Sequence, residues 1–239
     1  MNTTLSGKTG AGGIESPATM LVSVVVPVYN RELFIERCVR SIVDQDCIDV
    51  SRIEIIIADD GSTDDTVEVV RSIDVAPAHV ELIELSHIGE PGSVRNQALR
   101  RARGALIAYC DSDDFWLPHH LATVIREFDR DRELAMVATA WGFAHFIPQP
   151  DGTIRNEYRV MPHPLDSVNT NCRVHRRECL DVVGYFGDAR WGEDQDFFAR
   201  IEQHFKTTKL PIVTNVNGYI KGGNNVTYCF DNGVKRVYY

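Results

Sequence analysis

No apolar run in this 239-residue chain approaches the roughly 20 residues needed to span a bilayer, so the sequence predicts no transmembrane helix. Met1–Thr19 is rich in Gly, Ser and Thr and lacks the apolar core of a secretory leader, and residues 1–20 read as a disordered extension. There is no C-x-x-C spacing among the six cysteines (Cys38, Cys47, Cys110, Cys172, Cys179 and Cys229). Several of them fall in strand-like or helix-like runs, which points to buried free thiols in a reducing compartment and away from a disulfide framework. Basic charge is also short: 25 Lys and Arg stand against 34 Asp and Glu, a net charge of −9. That balance argues against a nucleic-acid surface, although Arg100-Arg101-x-Arg103 and Arg173-x-x-Arg176-Arg177 are local basic spots. Internal repeats and a convincing domain boundary are missing too. These absences leave a soluble, cytoplasmic protein with one domain over residues 21–239.

What is present centres on Gly104–Trp116, GALIAYCDSDDFW. An apolar run, Ala105–Cys110, stops at Asp111, Asp113 and Asp114, as a buried strand does when it reaches a sheet edge. Open α/β sheets bind ligands at the carboxyl ends of their strands. Asp-x-Asp at that edge suits a divalent cation, because hard ions take carboxylate oxygens.

Strand and helix patterns alternate around this stretch. Leu21–Val28 and Ile53–Ala58 are continuous apolar runs, as expected of strands buried on both faces, and Val80–Leu85 is a third. Between them lie an amphipathic helix over Arg31–Gln45, capped by Asn30, and a helix capped by Ser62 or Thr63. Val94–Ala102 forms the helix before the central strand. Beyond it the pattern predicts a helix from Pro118 to about Arg130 and a strand at Leu134–Ala140. Phe143–Asn171 reads as irregular, Glu178–Val183 as a short helix, Trp191 to about His204 as another, and Leu210–Thr214 as a strand. The alternation specifies an α/β fold with a mostly parallel, doubly wound sheet flanked by helices.

Four segments, VSVVVPVYNRE (22–32), EIIIADDGSTDDT (54–66), GSVRNQALRRARGALIAYCDSDD (92–114) and GYFGDARWGEDQDFFARI (184–201), keep one order and spacing. Together they resemble the family 2 glycosyltransferases, inverting enzymes of the Rossmann-like GT-A fold that use nucleotide sugars. The resemblance implies a nucleotide-binding part over about 21–115 and an acceptor-side part over about 116–239. It implies that Pro27 and Tyr29 line the base pocket, where a Tyr face suits a pyrimidine, and that Asp60 accepts a hydrogen bond from the base. Gly61 next to it permits a tight turn. Arg95 meets the anionic nucleotide, or pairs with Asp60 or Asp111 and shapes the pocket.

By the same resemblance Asp111 contacts the ribose and takes part with Asp113 in binding Mg²⁺ or Mn²⁺ at the diphosphate, while Asp114 caps the following turn. Asp194 is the candidate general base, with Glu193 orienting it, and Trp191 stacks on a sugar. A departure is Lys221–Thr227, where Gly replaces the His that many relatives carry. The implied reaction moves a sugar from a nucleotide diphosphate, UDP above others, to an acceptor hydroxyl on a glycan or small molecule. Two further readings use the same residues: an Asp-x-Asp phosphotransferase or phosphatase, and a non-catalytic nucleotide-sugar-binding module. Against the phosphatase, its Asp pair is expected after the first strand, whereas here it follows the fourth.

Overall fold

The structure is a computed structural model that describes residues 21–148, 154–159, 169–188, 192–220, 227–231 and 234–238. Its centre is β1 (Val22–Val28), with β2 (Ile53–Asp59) on one side and β4 (Leu106–Tyr109) on the other, both parallel to it. β3 (His79–Glu84) extends the parallel part beyond β2. The long runs of β-branched residues follow from this position, since a strand covered on both faces has no side chain to spare for water. Along β1, Val22, Val24, Val26 and Val28 enter one core and Val25 the other.

The helices cover the two faces. α1 (Ile35–Val43), α2 (Thr66–Ser72) and α4 (His120–Arg130) seal one side through Ile35, Val39, Ile42, Val70, Leu121, Val124 and Phe128. α3 (Pro91–Leu99), α5 (Leu180–Val183) and α6 (Glu193–His204) seal the other through Val94, Ala98, Leu99, Val183, Phe197, Phe198 and Ile201. None of the helices among the described residues is long and apolar enough to cross a membrane.

Beyond β4 the sheet turns mixed, in the order β3-β2-β1-β4-β8-β6-β9-β5. β8 (Arg173–Arg176) runs antiparallel between β4 and β6 (Leu134–Pro148). β9 (Lys206–Ile220) lies parallel to β6, β5 (Phe115–Trp116) antiparallel to β9, and β7 (Ile154–Arg159) antiparallel to β6. A separate hairpin joins β10 (Thr227–Asp231) and β11 (Val234–Tyr238).

Several expectations need correction. Phe143–Asn171 is not irregular throughout, because β6 continues to Pro148 and β7 folds back on it. Pro148 is the last residue of β6 and pairs with Ile154 at the start of β7. β8 was not expected, since Arg-Val-His-Arg carries no apolar run; its backbone is held on both sides by β4 and β6. Leu210–Thr214 is the middle of the much longer β9. Asn30 is not a helix cap: it has φ 51°, and its Oδ1 accepts from Thr63 N at 2.8 Å. α1 starts only at Ile35. Nor do Ser62 and Thr63 cap α2, whose first amide, Thr66 N, donates to Asp64 Oδ1. α3 begins three residues early at Pro91, whose ring suits a first helical turn.

Candidate active site

The register explains how the acidic stretch reaches the sheet edge. Val28 pairs with Asp59, but Tyr109 pairs with Val25, so the chain after β4 runs on beside the end of β1. Pro27, Tyr29, Asp60, Arg95, Asp111 and Asp113 all line one cleft of about 430 Å³ there. The sequence reading therefore gathers residues that the fold does bring together.

At one end the cleft is aromatic. Tyr29, 39% exposed, stacks on His87 with ring centres 4.4 Å apart. Asp60 is buried; its Oδ1 accepts from Ile88 N at 2.6 Å, and its Oδ2 accepts from Gly89 N at 2.9 Å and lies 3.0 Å from His87 Nδ1. A carboxylate has about four acceptor sites, so capacity for a further N–H remains. Asp59 is the turn former of the pair, accepting from Gly61 N and Ser62 N. Gly61 has φ 74°, and a Cβ there would stand 3.0 Å from His87 N. His87 escaped the sequence reading because it belongs to no motif. Its place in the loop after β3, on the same edge as the other loops, is the signal that identifies it.

At the other end a charged chain crosses three elements. Arg95, buried in α3, donates through Nη2 to Asp111 Oδ1 at 2.8 Å and reaches Glu193 Oε1 through Nη1 at 3.4 Å. Burial alone would lower its pKa, but Asp111 and then Glu193 outweigh burial and raise it. Glu193 is raised by burial, with Arg95 opposing. Asp111 N donates to Asn171 Oδ1 at 2.9 Å. Asp113 is ion-paired to Arg31 at 3.3 Å and raised by burial, with Arg31 opposing and Asp111 adding to the rise. Asp114 is no turn cap. It is buried, accepts from Asn171 Nδ2 and Gly218 N, and ties β9 to the acidic loop.

Glu193 and Asp194 open α6 as expected, behind Gly192 at φ 80°. Asp194 accepts from Thr170 Oγ1 at 3.0 Å and from Gln195 N at 2.8 Å. α3 holds this end in place. Asn96 Nδ2 donates to Phe186 O at 2.9 Å, and Asn96 Oδ1 accepts from Phe186 N at 3.0 Å. Gly92 lets α3 come so close that a Cβ would stand 2.8 Å from Glu193 Cγ. Thr170, Asn171 and the bonding of Asn96 were not predicted, because they act through contacts between segments far apart in the chain. Asp196 pairs locally with Arg200. Trp191 and Lys221–Val226 lie outside the described residues.

Among the described residues no group of three or more His, Cys, Asp or Glu is gathered for a metal. Two carboxylates, Asp111 and Asp113, do face the same cleft, and Asp111 is 32% exposed along its side chain. Mg²⁺ is ordinarily held by one or two carboxylates together with substrate phosphates and water, so the pair fits that mode.

Comparison with known proteins agrees with this architecture. The fold is similar to that of Staphylococcus aureus TarS in complex with UDP-GlcNAc, with TM-score 0.70 and 21% identity over 85% of this chain and 60% of that one. It also matches the mannosyltransferase PcManGT of Pyrobaculum calidifontis, solved with GDP-Man and Mn²⁺, with TM-score 0.65, 20% identity, and coverage of 85% and 57%. These likenesses define a GT-A fold. The model of glycosyl transferase family 2 matches residues 23–176, and the chain belongs to that family. Among its relatives are the chondroitin synthase of Escherichia coli, 40% identical over 50% of this chain and 17% of the synthase, and the hyaluronan synthase of Pasteurella multocida, 36% identical over 77% and 19%. The putative teichuronic acid biosynthesis glycosyltransferase TuaG of Bacillus subtilis is 32% identical over 61% of this chain and 54% of its own. The chain thus spans less than a fifth of the two synthases.

Proposed function

We propose that the protein transfers a sugar, with inversion, from a nucleotide diphosphate to an acceptor hydroxyl, with UDP the favoured nucleotide. The observation that carries this reading is Arg95, whose guanidinium spans from Asp111 of the Asp-x-Asp loop to Glu193 beside Asp194. Donor-side and acceptor-side carboxylates are thereby linked through one side chain. The neighbours solved with UDP-GlcNAc and GDP-Man support a nucleotide-sugar donor.

In this reading the base stacks at Tyr29 and donates an N–H to Asp60, with Pro27 shaping the pocket wall. Asp111 meets the ribose, and Asp111 and Asp113 hold Mg²⁺ or Mn²⁺. A bound dication supplies charge stabilisation of the departing diphosphate. Asp194 removes the proton of the acceptor hydroxyl as that oxygen bonds to C1 and the bond from C1 to the diphosphate oxygen breaks. Glu193, held by Arg95, orients Asp194 or the acceptor. An attack from the face opposite the leaving group needs only this one base.

The test is turnover of a panel of UDP-sugars with Mn²⁺, read as UDP release. Asp194→Asn is expected to lower it by about 10² or more while donor affinity, measured by calorimetry, changes little. Unchanged turnover would remove Asp194 from the mechanism. Release of inorganic phosphate from a phosphomonoester would instead favour a phosphatase, and donor binding without any turnover a binding module.

A further inference from the structure

The turn after β1 carries a guanidinium into the cleft. Asn30 N donates to Ser62 Oγ at 2.9 Å, and Arg31 N donates to Thr66 Oγ1 at 2.7 Å. The turn is thus pinned to the chain that follows β2, and Arg31 lines the cleft together with Asp111 and Asp113. Its Nη1 donates to the carbonyls of Tyr29 at 3.2 Å and Asn30 at 2.9 Å, while Nε donates to Asp113 Oδ2 at 3.3 Å. Arg37 grips the same loop differently, through Nη2 on the main-chain carbonyl of Asp113 at 3.0 Å.

Each carboxylate of the Asp-x-Asp pair therefore has a guanidinium beside it, Arg95 on Asp111 and Arg31 on Asp113. The two cations are not equally fixed. The Arg95 side chain is 7% exposed and is shared with Glu193, whereas that of Arg31 is 25% exposed. Arg31 is thus the one that can yield. A guanidinium on Asp113 Oδ2 occupies an oxygen that a hard cation would take, and it repels that cation as well. A diphosphate shifts the balance, because its oxygens add negative charge and further ligands for the same ion.

We propose that Arg31 is a resident counter-cation of Asp113 that competes with the dication, so that the metal enters the cleft together with a nucleoside diphosphate and not before it. The proposal rests on the metal-dependent reading above, but its test reads binding and needs no turnover. Metal-stripped protein is titrated calorimetrically with Mn²⁺, alone and after saturation with UDP, and with UDP in the presence and absence of Mn²⁺.

In the wild type UDP is expected to tighten Mn²⁺ binding by about tenfold or more, and linkage requires Mn²⁺ to tighten UDP binding by the same factor. Arg31→Gln is expected to bind Mn²⁺ alone about tenfold more tightly than wild type, with a correspondingly smaller effect of UDP. Arg31→Lys, which keeps the charge, is expected to stay near the wild type. Adding Asp113→Ala to Arg31→Gln is expected to abolish the gain. Equal Mn²⁺ affinity of the wild type with and without UDP would overturn the proposal whatever the variants do. So would an Arg31→Gln protein that binds Mn²⁺ no more tightly than wild type, or a gain that survives Asp113→Ala. UDP-linked Mn²⁺ binding that is indifferent to Arg31 would sink this proposal alone and leave the metal reading standing. No Mn²⁺ binding by any form, even with UDP, would sink both.

Discussion

At the scale of single residues, Arg95 carries the most. Its fork meets Asp111 and Glu193 at once, a geometry that an ammonium on a flexible stem does not reproduce. Arg95→Lys is therefore expected to fold but to lose about 10² in turnover, as small displacements of reacting groups do. Arg95→Met leaves Glu193 buried without its cation, and a drop in melting temperature is expected as well. A Lys variant with wild-type turnover would show that charge alone suffices. Asp113 makes a sharper case. If Asp113 acts through a dication, Asp113→Ala weakens UDP binding with Mn²⁺ present and has little effect in EDTA. Equal loss in both conditions would refute the metal role.

At the scale of elements, α3 and α6 are fitted to each other before any substrate arrives. Gly92→Ala would force its Cβ against Glu193 Cγ at 2.8 Å and Gly187 O at 3.0 Å, and Glu193 must give way. Overpacking of this kind costs about 1–3 kcal/mol, so a lower urea midpoint together with lower turnover is expected. Asn96→Ala removes both hydrogen bonds to Phe186 and leaves a buried N–H and C=O unpaired, at about 1–3 kcal/mol. Denaturant melts of the two variants check both figures. A stable, fully active Gly92→Ala would mean that the contact between α3 and Glu193 has no bearing on the site.

At the scale of the whole molecule, two buried histidines couple folding to acid. His120 is pushed down to about 3 and His175 to about 4, in both cases by burial, from an ordinary 6.5. His175 Nε2 lies 2.8 Å from Tyr109 Oη and its Nδ1 2.8 Å from the Arg176 carbonyl, which fits a neutral ring donating from Nδ1. Between pH 6.5 and 4 the unfolded chain binds protons at these rings and the native protein does not, so stability falls as pH falls. Each ring contributes on the order of 3 kcal/mol, fully present above pH 6.5. Urea midpoints are expected to be flat above that pH and to drop below it, with a shallower slope in His175→Gln. An unchanged slope would exclude His175 as a source.

The sequence by itself determined the parallel half of the sheet, β1 to β4, because strands buried on both faces must be written as apolar runs. It also determined which acidic residues end at the strand edge, since a motif is local in the chain. Only the tertiary structure decided the rest. His87 beside Asp60, Thr170 on Asp194, and Asn171 between Asp111 and Asp114 all arise from packing between segments remote in sequence. Such contacts leave no period or spacing to read, because their energy comes from burial and hydrogen bonding that exist only once the chain has closed on itself.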